Sequence, residues 1–174
     1  MPNFRRFKSD GGCYFFTVNL AQRGTSLLID EIAALRLAFS ATLRQTPFYS
    51  DAMVILPDHL HAVWTLPDGD SAFPERWRLI KSRFSRAIDG SFGRSASKRA
   101  KREKGVWQRR YWEHFIRDAE DYRRHVAYCW ANPVKHGLVQ RPADWAFSSI
   151  HRDVRAGRVA AEWAEPSPEG EFGE

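Results

Sequence analysis

The sequence predicts an α+β fold. It reads as a ferredoxin-like sandwich of order β-α-β-β-α-β with a further C-terminal helix, an antiparallel sheet carrying its helices on one face. Three observations predict it. Two β-rich runs, at 49–57 and 59–67, are separated by little more than Pro57 and Asp58 and so form a tight hairpin or one bent strand. Stretches with helical apolar spacing flank them at 30–45 and 73–88, and further β-rich runs stand before and after, at 13–20 and 106–117.

Each element has its own warrant. "CYFFTVNL" (13–20) follows Gly11 and Gly12 and is rich in aromatic and β-branched residues. In "DEIAALRLAFSATLRQ" (30–45), Ile32, Leu35, Phe39 and Leu43 recur at helical spacing, with Asp30 as the expected N-cap and Pro47 beyond the end. The helix at 73–88 repeats Trp77, Ile80, Phe84 and Ile88 on one side and sets its cations between them. Residues 89–105 are rich in Gly, Ser and Lys/Arg without periodicity, which predicts a mobile basic loop. "VWQRRYWEHFIR" (106–117) reads as the last strand. The final helix opens on Asp118 with an acidic first turn and is expected to stop at Pro133, because the residue before proline avoids helical geometry.

At 174 residues and 43% hydrophobic, the chain buries one full core, expected over 1–160; the tail 161–174, with five Glu and no base, is expected to be disordered. No apolar run reaches the roughly 18 residues that cross a bilayer, and no signal-peptide h-region opens the chain, so a cytoplasmic protein without a membrane partner is expected. Cys13 and Cys129 lack the spacing of a zinc site and read as packed thiols.

Charge is concentrated. From Arg76 to Arg110 thirteen Lys or Arg stand against Asp89 and Glu103, a net +11, which leaves −5 for the rest of a chain whose total is +6. Such a stretch repels itself unless a polyanion neutralises it, which points to nucleic acid. The expected phosphate contacts are Arg76, Arg78, Lys81, Arg83, Arg86, Lys98, Arg99, Lys101, Arg102, Arg109 and Arg110. Interleaved rings, Trp77, Phe84, Phe92, Trp107, Tyr111 and Trp112, either stack on unpaired bases or belong to the core. The glutamate-rich tail is either an intramolecular competitor for this basic surface or a solubilising segment.

"LPDHLHAVWTL" (56–66) places His59 and His61 at i and i+2 of a strand, hence on one face. Such a pair either shares a metal or satisfies two separate hydrogen bonds. On the last helix Asp121, His125, Tyr128 and Asn132 fall on one stripe.

The HLH pair in apolar strand, "YWEHFIRDAEDYRRHVAYCWANPVKHGLV" and "DWAFSSIHRDV" together resemble the REP-associated tyrosine transposases, single-tyrosine HUH transposases that act on single-stranded DNA. The resemblance covers roughly residues 4–155. It implies an HUH nuclease fold with the histidines on a central strand, Tyr128 as nucleophile, and Asn132 as an amide-type third metal ligand beside His59 and His61. It implies a sequence- and structure-specific endonuclease and strand transferase at REP-like hairpins, working through a 5′-phosphotyrosine with Mg2+ or Mn2+, as monomer or homodimer. An HUH replication initiator or relaxase, and a hairpin binder without chemistry, are the alternatives. Tyr122 and Tyr111 are rival nucleophiles by residue type. Glu113 and His114 either approach the metal or face solvent, and Asp121 and His125 either support the site or serve the helix.

Overall fold

The computed structural model describes residues 8–90, 92, 93, 95–100 and 104–173. The elements run β1 (Cys13–Asn19), α1 (Leu27–Asp30), α2 (Ile32–Gln45), β2 (Tyr49–Ile55), β3 (His59–Thr65), α3 (Phe73–Ala87), α4 (Ala96–Ala100), β4 (Trp112–Phe115), α5 (Ala119–Lys135), a 3-10 turn (Pro142–Asp144) and α6 (Ile150–Arg155). The four strands form one sheet of order β2-β3-β1-β4, antiparallel at every pairing. β1 and β3 are its interior strands. Among the described residues no helix is long and apolar enough to cross a membrane.

β2 and β3 are joined by a three-residue loop closed by Leu56 N–H donating to the His59 carbonyl at 2.9 Å. The loop is held from outside as well, because its Pro57 and Asp58 carbonyls accept from the backbone of Leu28 and Leu20 at 3.0 and 2.9 Å. The start of β3, where the histidines lie, is therefore fixed by three separate segments of chain.

The sheet has two different faces. Tyr14, Phe16 and Val18 of β1 and Leu60, Ala62 and Trp64 of β3 pack with Leu35 and Ala38 of α2 and Trp77, Ile80 and Phe84 of α3. Phe15 and Val63, from the alternate positions, pack with Val126, Tyr128 and Cys129 of α5. The expectation of helices on one face thus describes α2 and α3, while the additional helix α5 covers the opposite face.

Four boundaries differ from expectation. Asp30 does not cap α2; it ends α1, and α2 starts after Glu31 without a side-chain cap. The segment 89–105 contains the helical turn α4. The last strand is only Trp112–Phe115, since the preceding residues meet the end of β1 and the chain just after it through an isolated Leu20–Trp107 bridge, with Gln108 N–H donating to the Asn19 carbonyl at 3.0 Å. Finally, α5 runs through Pro133 to Lys135. A proline this close to a helix end forfeits one backbone bond, and the turn beyond it is closed by Gly137 N–H donating to Val134 and Leu138 N–H to Pro133, both at 2.9 Å. Gly137 has φ +67°, which suits glycine at a helix end. The other end follows expectation: the Asp118 carboxylate accepts from the Glu120 and Asp121 amides at 3.0 and 2.8 Å.

Candidate active site

His59 and His61 project from β3 toward α5, and both are buried. Each ring is held at Nδ1. The Asp58 carboxylate accepts from His59 Nδ1 at 2.6 Å, and is itself held by the Gly24 amide at 2.6 Å and Arg23 Nε at 3.0 Å. Thr17, paired with His61 across the β1–β3 ladder, places Oγ1 2.8 Å from His61 Nδ1. Its one proton is donated to the Phe172 carbonyl, so it accepts from the imidazole. With Nδ1 committed on both rings, Nε2 is the nitrogen that each can offer to a ligand. Burial pushes the His59 imidazole below its ordinary pKa, against the opposing pull of Asp58, which favours the neutral ring.

α5 supplies the other half. Tyr128 is buried, its ring centroid 5.1 Å from that of His61, and Asn132, one turn on, is fully buried. Lys135, one more turn along the stripe, donates from Nζ to the Tyr128 hydroxyl at 3.0 Å and lies 4.9 Å from its ring centroid. The His136 ring stands 5.1 Å from that of His59. Beside them a cleft of about 480 Å³ opens, lined by Arg23, Asp58, His59 and His136.

A second polar group joins β4 to the start of α5. Asp121 accepts from His114 Nε2 at 2.8 Å and from the Arg117 amide at 3.0 Å, and its Oδ1 lies 3.1 Å from His125 Nδ1. Burial alone would raise the Asp121 pKa, but these partners outweigh it and hold the carboxyl at about 2. Burial lowers that of His125. The ligand-type atoms of His114, Asp121 and His125 lie within 4.8 Å of one another, close enough to share a cation. His125 Nδ1 also reaches the Asp121 carbonyl at 2.8 Å, so the group is already a closed network of its own hydrogen bonds.

The end of the tail reaches this site. Phe172 is buried and stacks on Tyr128 with centroids 3.7 Å apart and planes 10° from parallel. It also meets Phe15 and His125, and Arg124 donates to the Glu169 carbonyl. Residues 161–173 contain no helix or strand, and Phe172 among them sits in an apolar socket with Phe15, Val126 and Tyr128.

No family model matches the chain. Among curated proteins it is 44% identical over 164 residues to a REP-associated tyrosine transposase of Escherichia coli, covering 94% of this chain and 92% of that one. A relative from Haemophilus influenzae, named for the same family, is 43% identical over 164 residues, covering 94% and 93%. Among solved structures, one described as a REP-associated tyrosine transposase bound to a REP hairpin matches with a TM-score of 0.87 and 43% identity, over 100% of this chain and 98% of that one. The chain belongs to the REP-associated tyrosine transposases.

In this transposase the rival tyrosines stand elsewhere. Tyr122 turns toward Asp51, 3.4 Å from its carboxylate, and burial with that neighbouring charge pushes its pKa up to about 12. Tyr111 packs against Phe16 and Trp77 on the opposite face of the sheet. Both thiols are raised by burial, Cys13 to about 11, and neither is in a disulfide.

The expected phosphate contacts separate by position. Arg76 is corrected: it is buried, with its guanidinium donating to Asp70 at 3.0 and 2.6 Å and to the carbonyls of Thr46 and Pro47 at 3.1 and 2.6 Å. It ties α3 to the α2–β2 turn and has no surface to offer DNA. Arg83 donates to Thr42 and Gln45 of α2. Arg78, Arg86, Arg99, Arg109 and Arg110 are exposed, and Lys81 is half-buried. Lys101 and Arg102 lie outside the described residues, as does the side chain of Lys98.

Sequence reasoning missed Thr17, Asp58, Lys135, His136 and Phe172. Asp58 was the one open to it, since a carboxylate directly before a strand histidine is a standard orienting partner.

Proposed function

We propose that this transposase nicks and rejoins single-stranded DNA at REP-like hairpins, with Tyr128 as the nucleophile. The observation that carries the reading is Lys135 Nζ at 3.0 Å from the Tyr128 hydroxyl, beside two histidines whose Nε2 atoms lie on the same side of the sheet. The relative described as bound to a REP hairpin supports the substrate class.

A phenol titrates near 10 and is a weak nucleophile at neutral pH. The Lys135 ammonium favours its phenolate, whose proton passes to solvent. Attack by Tyr128 Oη on the scissile phosphorus forms a phosphotyrosine bond to the 5′ side and breaks the P–O3′ bond. The departing 3′-oxygen takes a proton from water. Because the phosphotyrosine conserves the bond, another 3′-OH reverses the step and joins DNA.

The donor set fits a divalent cation: Nε2 of His59, Nε2 of His61 and the Asn132 amide oxygen would hold it, all three neutral. Bound there, Mg2+ or Mn2+ supplies positive charge to the phosphate oxygens and the departing 3′-oxygen. Three neutral ligands leave that charge undiminished, whereas the carboxylate of the His114–Asp121–His125 group would cancel part of it. Asp58 and Thr17 hold the two imidazoles in the ligand tautomer.

The test is a denaturing gel of protein with a labelled single-stranded hairpin. Tyr128→Phe is expected to retain hairpin affinity and lose the covalent band, because only the attacking oxygen is gone. A covalent band that persists in this variant would move the nucleophile to another residue and end the proposal.

A further inference from the structure

We propose that the cavity between α3 and residues 104–111 is a binding pocket for one unpaired nucleotide, anchoring the DNA strand outside the scissile position. The inference rests on the proposed action on single-stranded DNA and adds to it a second contact, remote from Tyr128.

The cavity has a volume of about 600 Å³, within the ~300–1,000 Å³ of sites that enclose a small molecule. Its floor is aromatic: Trp107 and Tyr111 line it, with Trp77 beneath. These rings belong to the α2/α3 side of the sheet, whereas Tyr128 belongs to the α5 side, so a nucleotide seated here is not the one being cut. The rim is cationic, formed by Arg78, Lys81, Arg86, Lys104 and Arg109. Among the described residues no acidic side chain lines it; Glu75, beside the lining Pro74, pairs with Arg78 at 2.7 Å. The Lys81 ammonium lies over the floor, 5.1 Å from the Tyr111 centroid and 5.9 Å from that of Trp107.

Two alternatives fit less well. A paired duplex presents phosphates but no free base face, and would leave the aromatic floor unused. A neutral apolar ligand would gain nothing from five cations. An unpaired nucleotide matches both parts, its base stacking on the rings and its phosphate drawing the rim charges. Gln108, Ser82 and Ser85, also in the lining, supply donors and acceptors for a base edge. The pocket is built from local sequence: α3 sets a cation on each exposed turn above its buried Trp77, and the segment after Lys104 is pinned alongside by Lys81 Nζ donating to the Gln108 carbonyl at 2.9 Å.

The experiment compares a short oligothymidylate with an abasic strand of the same length and charge, by fluorescence anisotropy. The wild-type protein is expected to bind the oligothymidylate roughly tenfold or more tightly than the abasic strand, and Tyr111→Ala to bind both alike. Equal affinity of the wild-type protein for the two strands would overturn the pocket, as would an equal loss for both in Tyr111→Ala. Because Tyr111 also packs on Phe16 and Trp77, a second readout uses the unaltered protein: photo-crosslinking to a strand carrying 5-iododeoxyuridine, mapped by mass spectrometry. Crosslinks at Trp107 or Tyr111 support the assignment, and crosslinks confined to the α5 side overturn it. Covalent attachment is scored separately in the same wild-type samples. Base discrimination without a covalent band would sink the nicking reading alone, and a band without discrimination would sink the pocket alone.

Discussion

The two faces of one sheet divide the labour of this protein. On β1 and β3, Tyr14, Phe16, Val18, Leu60, Ala62 and Trp64 point to α2 and α3 and are all fully buried and apolar or aromatic. Of the residues between them, which point the other way, Phe15 and Val63 pack against α5, while Thr17, Asn19, His59 and His61 form the candidate site beside it. A strand alternates sides with every residue, so stability and chemistry are interleaved along seven residues yet never share a position. The two faces should therefore fail in different ways.

The largest effect expected is on the polar face. His59→Ala and His61→Ala should each reduce hairpin cleavage by about a thousandfold or more while hairpin affinity changes little, because a cation held as proposed by this pair would act on the transition state more than on docking. Asn132→Ala should be milder, since water replaces a neutral oxygen ligand. The opposite pattern is expected for Trp64→Ala, which opens the core between Phe48 and Trp77 and should cost about 3–5 kcal/mol, lowering the thermal midpoint. Thermal melts and single-turnover cleavage on the same preparations check both. Equal loss of affinity and cleavage in the histidine variants would make the pair structural and erase the contrast.

Next comes Lys135, the residue proposed to activate Tyr128. Lys135→Met keeps the length of the stem and removes the ammonium 3.0 Å from the Tyr128 oxygen. Covalent attachment should slow about tenfold to a hundredfold, less than for a fully buried donor because Lys135 is exposed. An unchanged rate would show that the ammonium has no part in activating the phenol.

The same residue shows where sequence reading stops. Period-two alternation exposed the histidine pair, and helical spacing put Asp121, His125, Tyr128 and Asn132 on one stripe, because both patterns are local. Lys135 lies on that stripe too, but the rule that helices end before proline cut it off at Pro133. The packing of α5 on β2 and the closure at Gly137 outweigh one missing bond. Thr17 was invisible for another reason: its pairing with His61 is a matter of β1–β3 register across forty-four residues. Arg76 was misplaced because charge counts do not see direction, and only the fold shows that it points inward to Asp70.

A smaller effect tests the network on the same face. Asp121 titrates at about 2 in the folded protein, below the roughly 3.9 of an unfolded aspartate. A depressed carboxyl stabilises the fold above its unfolded pKa and loses that contribution as pH falls through the folded one. Asp121 should thus contribute roughly 2 kcal/mol at neutral pH, fading between about pH 4 and pH 2. Urea unfolding of the wild-type protein and Asp121→Asn should show a stability gap at pH 7 that closes as the pH approaches 2. A gap independent of pH would assign the effect to packing.

The smallest effect concerns the tail, and it separates two physical accounts. Five glutamates suggested an electrostatic competitor for the basic stretch, an effect that salt would erase. The structure puts the contact on the other face: the Phe172 ring centroid lies 3.7 Å from that of Tyr128 and its carbonyl accepts a hydrogen bond from Thr17, so the segment covers the proposed nucleophile and would stand in the way of a strand approaching it. A stacked aromatic pair is worth about 0.5–1.5 kcal/mol beyond its buried area, which shifts an open–closed equilibrium by about two- to tenfold. Phe172→Ala should therefore speed the first covalent attachment by about that factor, at low and at high salt alike, and deletion of residues 162–174 should do no more. If the deletion accelerates attachment only at low salt and Phe172→Ala does nothing, the glutamates act on the basic surface and the stack is incidental. A salt-independent gain shared by both variants instead places the control of this site in one ring, on the polar face of the sheet.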